Sequence, residues 1–158
     1  MKGYAARTCL LTSGLVLTTV LLTGCPKTPV LTPDASSGAS AAAPTYVKTA
    51  ALGDLHFDLD RAVIRPADQH RLDANAAWLK SNGYRLLLEG FADERGTPQH
   101  NQALGERRAA AVRDALVAHG IDASRISIRS FGEHQPLCTD RTDVCWAKNR
   151  RVQFLVSK

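Results

Sequence analysis

Apolar residues along the chain fall into blocks with different periods, and the blocks predict an order of elements. Cys9–Leu22 is a continuous apolar, Thr-rich run without an acid or a base, and Pro26–Pro44 then holds almost no large apolar side chain. Leu55-His56-Phe57-Asp58 alternates, which predicts a strand. Pro66 stands where a first helical turn tolerates proline, and Leu72, Ala76 and Leu79 follow at helical spacing. Asn82-Gly83 is expected to close this helix as a left-handed cap. Tyr84–Phe91 is compact and mostly apolar, the pattern of a well-buried strand. A second helix is predicted from about Pro98 to His119, with Leu104, Ala109, Val112 and Leu116 facing inward and Gly120 as its stop. Ile126–Phe131 predicts a third strand. Arg150–Val156 predicts a fourth, with Val152, Phe154 and Val156 alternating. The expected class is α+β, a βαβαββ order with helices packed on one face of a mixed sheet. No internal repeat is present.

The N-terminal run changes the picture of where the chain works. Lys2 and Arg7 precede it, and Leu22-Thr23-Gly24-Cys25 follows. A membrane-spanning helix needs about 20 apolar residues, and this run is shorter and ends in small residues, so it reads as a signal peptide. Its end resembles the lipobox of bacterial lipoproteins. The resemblance implies removal of residues 1–24 and acylation of Cys25. Several acyl chains, at about 0.8 kcal/mol per buried CH₂, anchor durably where one does not. The same resemblance implies, from Pro26 in place of an aspartate after the cysteine, sorting to the outer membrane with the folded part facing the periplasm. Residues 25–45 read as a flexible tether of Pro, Thr, Ser, Ala and Gly, too poor in apolar surface to offset its ordering entropy. Its expected r.m.s. span is about 25 Å. The globular domain is expected over 46–158.

Charge excludes one class of partner. The formal net charge is +5, and loss of Lys2 and Arg7 with the signal leaves +3. With no long Lys/Arg run, nucleic acid is not an expected partner. Of the four cysteines, Cys9 lies in the signal and Cys25 is the lipid site. Cys138 and Cys145 remain as an even pair in an exported chain, which favours a disulfide over free thiols. A zinc site would need further ligands at suitable spacing, and His134 alone is insufficient. No metal and no cofactor is implied.

The densest polar cluster lies between the second strand and second helix: Gly90-Phe91-Ala92-Asp93-Glu94-Arg95-Gly96-Thr97-Pro98, then Asn101 and Glu106-Arg107-Arg108. Asp93 falls at a strand end, where open sheets place ligands. Gly96 permits a tight turn. Thr97 before Pro98 is an N-cap followed by a first helical residue, leaving backbone N–H groups free for whatever docks there. Arg108 follows on the same helix, where its guanidinium can curl back along the flank. Residue chemistry alone fits a capped turn beside a salt-bridged helix as well as it fits a binding site.

The stretch GFADERGTPQHNQALGERRA, Gly90–Ala109, closely resembles the signature of OmpA-like peptidoglycan-binding domains, above all their lipoprotein branch. Phe57-Asp58-Leu59-Asp60 through Arg65-Pro66, Phe131-Gly132-Glu133 with Pro136, and Asn149-Arg150-Arg151-Val152 extend the likeness over roughly residues 52–156. The resemblance implies recognition of the diaminopimelate residue of the peptidoglycan stem peptide. Carried onto this chain, Asp93 takes the ligand's ammonium and Arg108 takes its carboxylate as a bidentate fork. Phe57, Asp58, Thr97, Asn101, Leu104 and Arg150 match positions that line the pocket, and Phe57 and Leu104 fit plain core equally well. Phe91 stands where relatives commonly carry histidine. The resemblance further implies docking to the Tol system, TolB especially.

Rival functions are discriminated by single features. The five histidines are scattered, and neither HExxH nor a G-x-S-x-G elbow occurs, so an enzyme is not expected. A flagellar stator with a similar wall-binding domain would need an acid in its membrane helix, and Met1–Gly24 holds none. A lipoprotein acting mainly as a protein-interaction scaffold is the second reading. Alanine at Asp93 or Arg108 is expected to abolish retention on sacculi with the fold intact.

Overall fold

The computed structural model describes residues 44–157. The expected signal peptide, the acylated Cys25 and nearly all of the expected tether lie outside the described residues. Strand β1 (Val47–Lys48) and strand β2 (Leu55–His56) are followed by helix α1 (Pro66–Lys80), strand β3 (Arg85–Phe91) and helix α2 (Pro98–Ala118). Strand β4 (Ile126–Gly132), helix α3 (Asp143–Asn149) and strand β5 (Arg151–Ser157) complete the order. The sheet runs β1-β5-β3-β4, with β2 also paired to β5. The β3–β4 pair is parallel and the other pairings are antiparallel. The fold is therefore α+β with a mixed sheet, as the periodicities predict.

The strand alternation explains where the core sits. Leu86 and Leu88 of β3 lie opposite Val156 and Phe154 of β5 and beside Ile126 and Ile128 of β4. Leu86, Leu88, Val152 and Phe154 form one buried cluster with Leu72, Ala76 and Leu79 of α1 and Ala109, Val112 and Leu116 of α2. Both predicted helical stripes are thus buried where they were expected. Full burial of one such side chain contributes about 1.5–3 kcal/mol.

Helix α2 lies on β3 at backbone distance. A Cβ at Gly90 would stand 1.9 Å from the Gly105 carbonyl oxygen, and one at Gly105 would stand 2.3 Å from Ser130 Oγ. Only glycine permits that approach on either side. The contact fixes the helix against the strand end, and Arg108 follows Gly105 by three residues, nearly one turn.

Two local expectations are corrected. Gly83 is not left-handed; among the described glycines only Gly96, Gly120 and Gly132 have positive φ. The end of α1 is satisfied by side chains instead. Asn82 Nδ2 and Ser81 Oγ each donate to the Trp78 carbonyl at 2.8 Å, and Arg125 donates to the Leu79, Asn82 and Tyr84 carbonyls. Arg150 is not part of the last strand but the residue joining α3 to β5. Three elements were not expected: β1, a 3-10 turn over Ala123–Arg125, and α3. Helix α3 is nucleated by Thr142, whose hydroxyl accepts from Cys145 N. Cys138 and Cys145 form a disulfide that closes the loop before it, as their pairing in an exported chain favoured.

Candidate functional site

A cavity of about 270 Å³ opens at the end of β3, between the loops that follow β2 and β3 and the first turns of α2. Each polar wall group has a definite local origin. Gly96, at φ 114°, reverses the chain after β3. Thr97 then caps α2, its Oγ accepting from His100 N at 3.2 Å, and Pro98 takes the first helical position. This turn sets Asp93 on the strand side and Arg108 on the helix side of the same cavity.

Arg108 is fully buried. Its Nε donates to the Arg61 carbonyl at 2.8 Å, Nη1 to Phe91 at 2.8 Å and Nη2 to Asp58 at 2.9 Å. Its Cζ lies 5.3 Å from the Phe57 ring centre. Three of its five donors are committed to main chain, which leaves two for a ligand. Burial first, and then the nearby Arg150 charge, push its pKa down to about 10. It stays a cation at neutral pH.

Asp93 is 3 % exposed. Its carboxylate accepts from the Arg95 backbone N at 3.2 Å, Arg95 Nε at 3.3 Å, Arg95 Nη2 at 2.6 Å and Arg150 Nη1 at 3.0 Å. Burial works against its ionisation, but the hydrogen bonds from Arg95 and Arg150 outweigh it and hold the carboxyl below its ordinary range. Arg150 also donates Nε to the Phe57 carbonyl at 2.8 Å, so it ties the β2 end to the site.

The remaining expected residues divide. Leu104 and Arg150 line the cavity with Asp93 and Arg108. Phe57 is fully buried core beneath the Arg108 guanidinium rather than cavity wall. Asn101 lies buried behind the loop, its Nδ2 donating to the Asp93 carbonyl at 3.1 Å and to Glu133 at 2.6 Å. Asp58 contributes its main-chain oxygen to Arg108, and its exposed side chain is not part of the wall. Thr97 is exposed and acts as a helix cap. Sequence reasoning missed Arg95, Leu59 and the rim pair His100–Asp60, whose Nε2 and Oδ1 are 2.7 Å apart. Arg95 stood in the quoted motif, and the turn residues Gly96-Thr97 were the available signal that it folds back on Asp93.

One expectation about mutation fails on this geometry. Truncating Arg108 to alanine removes the donor of one buried and two half-buried carbonyls and empties a buried volume, so the fold is destabilised. Loss of function in that variant would not by itself report ligand contact.

Among the described residues no helix is long and apolar enough to cross a membrane. The walls present three guanidinium groups and one inner carboxylate, with a second carboxylate, Asp60, at the rim. In chemical terms these groups suit a carboxylate and, at one point, a cation.

The chain belongs to the OmpA family, whose model matches residues 56–150. It is similar to the peptidoglycan-associated lipoprotein of Pseudomonas putida, 42% identical over 104 residues, covering 66% of this chain and 63% of that protein. It is likewise 42% identical over 141 residues to the peptidoglycan-associated lipoprotein of Rhizobium meliloti, covering 85% of this chain and 80% of the relative. Among solved structures, the peptidoglycan-associated lipoprotein from Burkholderia pseudomallei superposes with a TM-score of 0.63 at 34% identity. That match covers 66% of this chain and 89% of that one.

Proposed function

We propose that this chain is an outer-membrane lipoprotein that holds the peptidoglycan wall without a covalent bond, by gripping diaminopimelate in the stem peptide. The observation that carries the reading is that Asp93 and Arg108, on a strand end and a helix, form walls of one small cavity. Diaminopimelate carries an ammonium and a carboxylate on one short side chain. The Arg108 fork, with Arg150 beside it, takes the carboxylate, and Asp93 takes the ammonium. Charge-assisted bonds contribute about 1.5–3 kcal/mol each, so a few give modest single-site affinity. On a polymeric wall that is sufficient, because an anchored domain meets many sites at high effective concentration. The names of the relatives support the same reading.

In this account residues 1–24 are removed, acylated Cys25 anchors the chain in the periplasm-facing leaflet of the outer membrane, and 25–45 span the gap to the wall. Docking to TolB and other Tol components belongs to the same proposal. The role is holding rather than turnover, so wall fragments incubated with the chain are expected to stay uncut.

Co-sedimentation with purified sacculi tests the wall reading. The wild-type chain is expected in the pellet, and Asp93→Asn, which removes the charge at nearly constant volume, is expected in the supernatant. Equal retention of both overturns the assignment. Palmitate labelling that persists in Cys25→Ser would overturn the lipid site.

A further inference from the structure

Asp93 is committed before any ligand arrives, and its two partners are held in different ways. Arg150, whose side chain is 13 % exposed, is tied to the main chain through the Phe57 carbonyl. Arg95 is 32 % exposed and holds Asp93 through both Nε and Nη2. Its Cζ also lies 4.2 Å from the centre of the Trp146 ring, a cation–π distance. Trp146 Nε1 faces Glu94 Oε1 at 3.4 Å, so a carboxylate adjoins the indole. Arg95 therefore has a second set of partners within reach of its own side chain, whereas Arg150 is anchored.

A buried carboxylate is never left without a cation at small cost. Both guanidiniums bind the same oxygen, Oδ2, while Oδ1 accepts only the Arg95 backbone N–H. A ligand ammonium takes the Oδ2 position only if one guanidinium leaves, and Arg95 is the one free to do so. A ligand that brings only carboxylates meets no such obstacle, since Arg95 adds to the positive wall formed with Arg108 and Arg150. We propose that Arg95 is the specificity-determining residue of the cavity: an internal cation that occupies the ammonium subsite at Oδ2 of Asp93 and that a zwitterionic ligand displaces toward Trp146 and Glu94. The inference rests on the diaminopimelate reading and adds to it a built-in competitor. Removing the Arg95 charge strengthens binding of the zwitterion and weakens binding of a plain dicarboxylate. A residue that only supports the loop would move both in the same direction.

The test uses the full-length chain in detergent, titrated by NMR with meso-diaminopimelate and with pimelate, the dicarboxylate of equal length without amino groups. In Arg95→Gln the affinity ratio of diaminopimelate to pimelate is expected to rise about tenfold or more over wild type, the scale of one charge-assisted bond. Arg95→Lys, which keeps the cation, should restore a ratio near wild type. In the wild-type chain the Arg95 Nε–H signal should shift with diaminopimelate and hold still with pimelate, and Arg150 Nε–H should hold still with both. A ratio that stays flat or falls in Arg95→Gln, or an unmoved Arg95 signal at saturation, overturns this inference and leaves the wall reading standing. A wild-type chain that binds neither compound overturns the diaminopimelate reading and this inference together.

Discussion

Two arginines face the same cavity and are built for opposite purposes. Arg108 is fully buried, and each of its nitrogens donates to a main-chain carbonyl: Asp58 and Arg61 in the loop after β2, and Phe91 at the end of β3. Arg95 is about a third exposed and bonds a side chain, Asp93, while stacking on another, Trp146. Main-chain acceptors move only if the fold moves. Side-chain acceptors can be exchanged for a ligand or for one another. The cavity thus has a fixed half, set by α2 and the loop after β2, and an adjustable half along the loop after β3 and helix α3. A binding site needs geometry that is ready in advance, and under the proposal above Arg95 is the group that yields its place.

The comparison is broken most directly through stability. Arg108→Met is expected to lower unfolding free energy by about 3–5 kcal/mol, because one buried and two half-buried carbonyls lose their donor. Urea denaturation would measure it, and a cost under about 1 kcal/mol would mean that Arg108 is not structural. Next in size is the disulfide that closes the loop before α3. Cys138→Ser with Cys145→Ser should cost about 2.5 kcal/mol by loop-closure entropy, with the loss confined to the adjustable half. Hydrogen exchange should then rise in 136–149 and stay unchanged in α2.

A smaller effect is expected from pH. Asp93 has its carboxyl held below the ordinary value by Arg95 and Arg150 against the upward push of burial. A carboxyl depressed in the folded state contributes stability that is complete above its unfolded value, near 3.9. That contribution is lost as pH falls through the depressed folded value. In Arg95→Gln the folded-state value rises toward the unfolded one, so the Asp93-linked loss should be smaller and be complete at a higher pH than in wild type, which acid titration followed by circular dichroism would detect. The smallest effect belongs to Arg95→Gln at neutral pH, about 1 kcal/mol or less, as for an ion pair that is partly screened. A cost equal to that of Arg108→Met would erase the distinction between the two halves.

How much of this was legible in the chain follows the same division. The stripes Leu72-Ala76-Leu79 and Ala109-Val112-Leu116 carry helical period, and Val152-Phe154-Val156 carries strand period, so the core could be read. Strand β1 has two residues and no period to read. Helix α3 buries only Cys145 and Asn149, so no apolar stripe announces it. It depends on the Thr142 cap and on Asn149, which binds the Leu137 and Cys138 main chain. In the site, Asp93 and Arg108 were visible through a long motif. Their real partners were not, because each comes from distant sequence: Arg150 to Asp93 across 57 residues and Arg108 to Asp58 across 50. Phe57 was ambiguous for a physical reason, since it is core and also the surface on which the Arg108 guanidinium rests.

The claim that the fixed half reads a carboxylate can be tested by calorimetric titration of the chain with two muropeptides. One carries diaminopimelate at the third position of its stem, and the other carries lysine, which keeps the ammonium and lacks the carboxylate. The account predicts at least about tenfold weaker binding of the lysine form, the loss of one charge-assisted contact. Equal affinity for the two would contradict it.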